Sequence, residues 1–116
     1  MRVRASAVYI EGGVPLDDRL TIVVSLNKDG SVADEECFGL LIEDGKRVPF
    51  SGRPEESHVV LDYGDYASAC AEGEVPVTRL NLVGKTLKVG DLFTRYDHFR
   101  GDADALEYTY RIDHVG

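Results

Sequence analysis

The stretch Leu106-Glu107-Tyr108-Thr109-Tyr110-Arg111-Ile112-Asp113-His114-Val115 decides the fold class. Leu106, Tyr108, Tyr110, Ile112 and His114 fall on one side, and Glu107, Thr109, Arg111 and Asp113 on the other. Strict alternation of this kind is the period of a strand with one dry and one wet face. The same period runs through residues 19–26, where Leu20, Ile22, Val24 and Leu26 share a face. It is looser in Arg2–Ile10, where Val3, Ala5, Ala7 and Tyr9 share one. Cys37–Ile42, Arg47–Phe50, His58–Leu61, Val77–Val83, Thr86–Val89 and Leu92–His98 are shorter strand candidates.

The breaks between them have turn chemistry. Glu11-Gly12-Gly13-Val14-Pro15 interrupts the first alternation, and Asn27-Lys28-Asp29-Gly30 and Glu43-Asp44-Gly45-Lys46 are hairpin signals. Ser51–Ser57, with Gly52 and Pro54, and Arg100–Asp104 are expected loops. One helix is expected over Asp62–Glu72, capped by Asp62 and ended by Gly73, with Tyr63, Tyr66, Ala67 and Cys70 on one face. The expected architecture is α+β and mainly antiparallel: a curved sheet or partly open barrel with one short helix on its side. At 116 residues, 1–116 is expected to be a single domain, long enough to bury a core without staples.

Charge is unevenly placed. The chain carries a formal −8. Residues 11–74 hold 15 of its 21 acidic side chains against 5 of its 13 basic ones. Apolar runs interrupt this acid, so it decorates a folded surface. Such a surface repels nucleic acid and anionic membrane and steers basic partners inward. Ala5–Ile10 is too short for the apolar core of a secretion signal, and no apolar run approaches the length of a membrane span. The expected location is cytoplasmic, with no nucleic-acid or membrane partner.

Motifs that carry chemistry are sparse. His58, His98 and His114 are far apart in sequence, and Cys37 and Cys70 lack the short spacing of a metal site. No metal and no cofactor is expected. Cys37 beside Phe38, and Cys70 between Ala69 and Ala71, read as inert core thiols. Asp97 and His98 are adjacent on a strand and so point to opposite faces, a poor acid–base pair. Gly84-Lys85-Thr86 lacks the upstream glycine of a phosphate loop, since position 79 is Arg79. Asn27-Lys28-Asp29-Gly30 lacks the ligand offsets of a calcium loop. Phe93–Arg100 interleaves basic and aromatic residues as a base-stacking strand does, but Asp91, Asp97, Asp102 and Asp104 surround it. A mixed-charge hairpin or an aromatic anchor for a protein partner fits it better.

One resemblance covers the last third of the chain. Leu80-Asn81-Leu82-Val83-Gly84-Lys85-Thr86-Leu87-Lys88-Val89-Gly90-Asp91-Leu92-Phe93, followed by Glu107-Tyr108-Thr109-Tyr110-Arg111-Ile112, resembles the closing strands of small β-rich bacterial immunity proteins of polymorphic and contact-dependent toxin systems. A Val-Gly-Asp approach to a strand also occurs in the barrel domains of translation factors. The immunity resemblance implies a non-catalytic protein that binds and neutralises a cognate toxin. The acidity of the chain would suit a basic toxin. No binding residue is transferred from that family.

Three readings follow. The first is that non-catalytic toxin inhibitor, with Asp34, Glu35, Glu36, Glu43, Asp44, Tyr63 and Tyr66 as partner-binding candidates and the acidic clusters gathered on one face. The second is a small enzyme or ligand-binding β domain using His58, His98, Asp97 and Cys70. The third is an assembly subunit whose edge strand at 92–99 pairs with a copy of itself as a homodimer.

Overall fold

The computed structural model describes residues 1–64 and 75–116. Among these, eight antiparallel strands follow one another around a closed barrel: β1 (Arg2–Glu11), β2 (Val14–Ser25), β3 (Cys37–Glu43), β4 (Lys46–Glu55), β5 (His58–Asp62), β6 (Val77–Leu80), β7 (Leu92–His98) and β8 (Leu106–Val115). Each strand pairs with its sequence neighbour, and β8 returns to pair with β1 through Ala5–Ile10.

This corrects the α+β expectation. The described residues contain no helix, and the sheet is closed rather than open. Asp62, the expected helix cap, ends β5 instead, and its carboxylate accepts a hydrogen bond from the Gly64 amide at 2.8 Å. The rest of the expected helix lies outside the described residues. Closure has a direct cause. Tyr110 and Ile112 of β8 and Ala5 and Ala7 of β1 all need burial, and pairing β1 with β8 buries both sets in one interior.

Two further expectations shift. The Gly12-Gly13 break is the two-residue turn of a β1–β2 hairpin, and β2 starts at Val14 rather than at residue 19. Both glycines have positive φ, 60° and 81°, as a turn matched to the strand twist requires. The expected loop at 51–57 is largely strand, since β4 runs on to Glu55. Gly52 is buried there because a Cβ would lie 2.6 Å from Val59 Cγ1 and 2.7 Å from Cys37 Sγ. Thr86–Val89, read as a strand, makes only a single bridge, from Thr86 to Ser31.

The inward faces follow the two-residue period. Leu20, Ile22 and Val24 of β2, Val48 and Phe50 of β4, Val59 and Leu61 of β5, and Phe93 of β7 are buried in one core. The alternation of β8 holds at Tyr110 and Ile112 but fails at Leu106 and His114, which are exposed, while Val115 packs on the core; a bulge accounts for His114. The register shift opposite Ser6 and Ala7 supplies the reason. Asp113 is the extra residue of a bulge, and it reverses the parity beyond it.

The two barrel ends differ. At one end the 26–36 and 81–91 connections lock together: Val32 N donates to Lys85 O at 2.8 Å and Gly84 N to Val32 O at 2.9 Å. They bring Val32 and Leu82 into the core, beside a pocket of about 300 Å3 that Leu82, Lys85, Leu87, Phe93 and Ile112 help to line. The tight 12–13 and 44–45 turns and the C-terminal ends of β5 and β7 stand at the other end, which holds the pocket described next.

Candidate functional site at the open end of the barrel

The site begins with an inward row on β7. Phe93, Arg95 and Asp97 share the interior face, and Arg95 and Asp97 are only 4% and 3% exposed. Two like-facing residues two positions apart can pair side by side along a strand. Arg95 does so in a fork: Nε donates to Asp97 Oδ1 at 2.9 Å and Nη2 to Oδ2 at 2.6 Å. This planar bidentate match is what arginine offers and lysine does not.

Neighbouring strands complete the set. Arg95 Nη1 donates to Glu43 Oε1 at 3.1 Å, at the end of β3, and to the Tyr110 hydroxyl on β8 at 3.2 Å. Thr78 of β6 donates to Asp97 Oδ1 at 2.8 Å and accepts from the Tyr63 hydroxyl at 2.8 Å. The guanidinium lies 4.9 Å from the Tyr108 ring centroid, a cation–π distance. No buried side-chain polar atom among the described residues is left without a partner.

These neighbours set the protonation states. Burial pushes the Tyr110 hydroxyl up to about 12, against the opposing pull of Arg95. Burial likewise raises Tyr63 and Tyr108. Burial disfavours the charged form of Arg95, but its hydrogen bonds to Asp97 and the surrounding field outweigh that and hold the guanidinium protonated. Three donors converge on the Asp97 carboxylate: Thr78 Oγ1, Arg95 Nε and Arg95 Nη2.

Above this polar floor is a pocket of about 310 Å3. Leu41, Val48, Val75, Pro76, Phe99 and Tyr108 form its walls, and Glu43, Tyr63, Arg95 and Asp97 supply its polar groups. Its volume lies at the lower end of ordinary small-molecule sites.

The residues expected to bind a partner are divided. Glu43 and Tyr63 meet in this pocket, and Asp44 sits beside Glu43 at the open end. Asp34, Glu35 and Glu36 are exposed just before β3, at the opposite end. The seven residues of β3 separate the two groups by roughly 20 Å. The single acidic face is therefore corrected to two separate acidic regions. Tyr66 and Cys70 lie outside the described residues.

Other candidates are accounted for elsewhere. His58 and His98 do converge, but on an outer groove with Arg79 and Tyr96, where the His58 and Tyr96 rings meet edge to face at 5.8 Å. Asp97 is inside the barrel and His98 outside, as the alternation required. Among the described residues no three His, Cys, Asp or Glu side chains gather as a metal site. Cys37 is buried, and burial pushes its thiol up to about 11. The Phe93–Arg100 stretch sends Phe93 and Arg95 into the interior, so neither can stack on a base. β7 pairs with β8 over Leu92–Asp97 and with β6 over Arg95–His98, so it is an inner strand of the closed sheet rather than an edge. No helix among the described residues is long and apolar enough to cross a membrane.

The buried Arg95–Asp97 pair is the feature that sequence reasoning missed. Its signal was present: Phe93, Arg95 and Asp97 share parity, and a strand that buries Phe93 must also turn the other two inward. Comparison with family models, curated proteins and solved structures gave no match in any of the three.

Proposed function

We propose that this protein is a non-catalytic binding barrel that takes a small molecule in the pocket at its open end. The observation that carries the reading is the lining of that pocket: an apolar-walled space of about 310 Å3 over a hydrogen-bonded polar floor that contains the buried Arg95–Asp97 pair. An eight-stranded barrel encloses either packed side chains or one small ligand. Among the described residues the two ends each hold a pocket, of about 310 and about 300 Å3, and only the first has buried charged side chains, Arg95 and Asp97, in its lining. The ionisable groups of the floor are tied to one another, and both the histidine groove and Cys37 lie outside the pocket, which favours binding over catalysis.

The test is titration with N-phenyl-1-naphthylamine, a neutral apolar dye that brightens when shielded from water. Saturable brightening with one dye per protein is expected. Val75→Trp, at the partly exposed wall, should abolish it without lowering the melting temperature. A linear, unsaturated signal, or an undiminished one in Val75→Trp, sinks the reading.

A second reading, an immunity protein against a basic toxin, is favoured by one observation. The Asp44 amide donates to Asp18 Oδ1 at 3.3 Å, which joins the Asp17-Asp18 and Glu43-Asp44 pairs into one acidic rim at the open end. Reversing Glu43 and Asp44 to lysine should then weaken binding to the product of a neighbouring toxin gene and flatten its salt dependence. Reversing Asp34, Glu35 and Glu36 should change neither. Equal effects from both sets would remove the rim from consideration.

A further inference from the structure

We infer that the ligand of this pocket is an organic cation, an ammonium group carried on an apolar body. The inference rests on the pocket being a ligand site and adds the chemistry of what enters it.

Charge is the first argument. Among the described residues the charged members of the lining are Arg95, Asp97 and Glu43, and one guanidinium against two carboxylates gives these a formal −1. The raised Tyr63, Tyr108 and Tyr110 hydroxyls stay neutral and do not alter that balance.

The positive charge is already committed. Nε and Nη2 of Arg95 face Asp97, and Nη1 faces Glu43 and Tyr110. An anionic ligand would have to break the Asp97 fork, leaving a buried carboxylate unpaired, or displace Glu43 and bring its own charge beside Asp97. The face that Arg95 presents to Tyr108 likewise takes up that ring's cation–π capacity on one side.

The negative charge is not fully committed. Arg95 engages Glu43 through Oε1, and Oε2 has no hydrogen bond among the described residues. The Glu43 side chain is 36% exposed, so a ligand can reach it. Asp18 and Asp44 stand next to it and strengthen the field at the mouth. Leu41, Val48, Val75, Pro76 and Phe99 offer nothing to an ion, so they suit the apolar remainder of the molecule.

The experiment is displacement of bound N-phenyl-1-naphthylamine at neutral pH by three matched competitors: 3-phenylpropylamine, 3-phenylpropan-1-ol and 3-phenylpropionate. The amine is expected to displace the dye at least about tenfold more effectively than the alcohol, the scale of one hydrogen bond to a charged group, with the carboxylate weakest. In Glu43→Gln the amine should fall to the level of the alcohol, with each competitor scaled to the affinity of the dye for that variant. An alcohol or carboxylate that competes as well as the amine overturns the cation assignment and leaves the pocket standing. So does an amine preference that persists in Glu43→Gln. Failure of the dye to bind the unaltered protein overturns the pocket reading itself.

Discussion

Arg95 and Asp97 neutralise each other in the barrel interior, and each would be costly alone. Arg95→Met should destabilise the protein by about 3–5 kcal/mol, because Asp97 would remain as a buried unpaired carboxylate. The double change Arg95→Met with Asp97→Leu should recover most of that loss. Urea denaturation of the three proteins checks both statements, and a double variant as unstable as the single one contradicts them. Titration gives a second residue-scale expectation. The native pKa values of Tyr110 and Cys37 are raised, to about 12 and about 11. Above pH ~9 the unfolded chain loses these protons while the folded chain keeps them. Their contribution is thus fully present below the unfolded pKa values and is lost as pH rises towards the folded ones. Stability should fall between about pH 9 and 12, with Tyr110 alone accounting for on the order of 2–3 kcal/mol. Tyr110→Phe should flatten the fall above pH ~10. A profile with the unaltered slope would show that burial of this hydroxyl does not control it.

Among the elements, β4 shows most plainly what a strand requires of its glycines. Gly52 faces inward between Cys37 and Val59, and Gly39 on β3 faces the Phe50 ring and the Thr21 carbonyl. A methyl group fits at neither position without movement of the sheet. Gly52→Ala should cost about 1–3 kcal/mol through overpacking. Gly13→Ala meets nothing within 4 Å, and its penalty comes from a φ of 81° alone, about 1 kcal/mol. Thermal melts should therefore rank Gly52→Ala below Gly13→Ala, and the reverse order would contradict the packing argument. The same strand explains a misreading. Gly52 and Pro54 look like loop residues, but Gly52 is present for space and Pro54 still pairs with Val59. β8 shows the opposite case, in which a regular pattern is interrupted. Arg19 reaches Asp113 at 2.6 Å, at the bulge that turns His114 outward. Nothing in the alternation of Leu106–Val115 announces that extra residue.

For the molecule as a whole, closure is the feature on which the rest depends. β8 pairs with β7 on one side and β1 on the other, so removing residues 106–116 would open two edges and expose the interior row of β7. The truncated chain should lose its cooperative thermal transition and aggregate. A retained sharp melt would mean that closure is dispensable. The sequence by itself determined a great deal: strands within 2–10, 19–26, 37–42, 58–61, 92–98 and 106–115, inward residues such as Leu20, Ile22, Val24, Tyr110 and Ile112, the hairpin turn at Asp44-Gly45 and the buried Cys37. These are local properties, since a two-residue period and a turn residue act over a few positions. Only the tertiary structure decided that β1 meets β8, that the acidic clusters at 34–36 and 43–44 sit at opposite ends, and that Arg95, Asp97, Glu43, Tyr63 and Thr78 join in one floor. Each of those depends on pairing between residues far apart in sequence. Closure is set by the shared demand of every inward face for burial, which no single stretch of the chain contains.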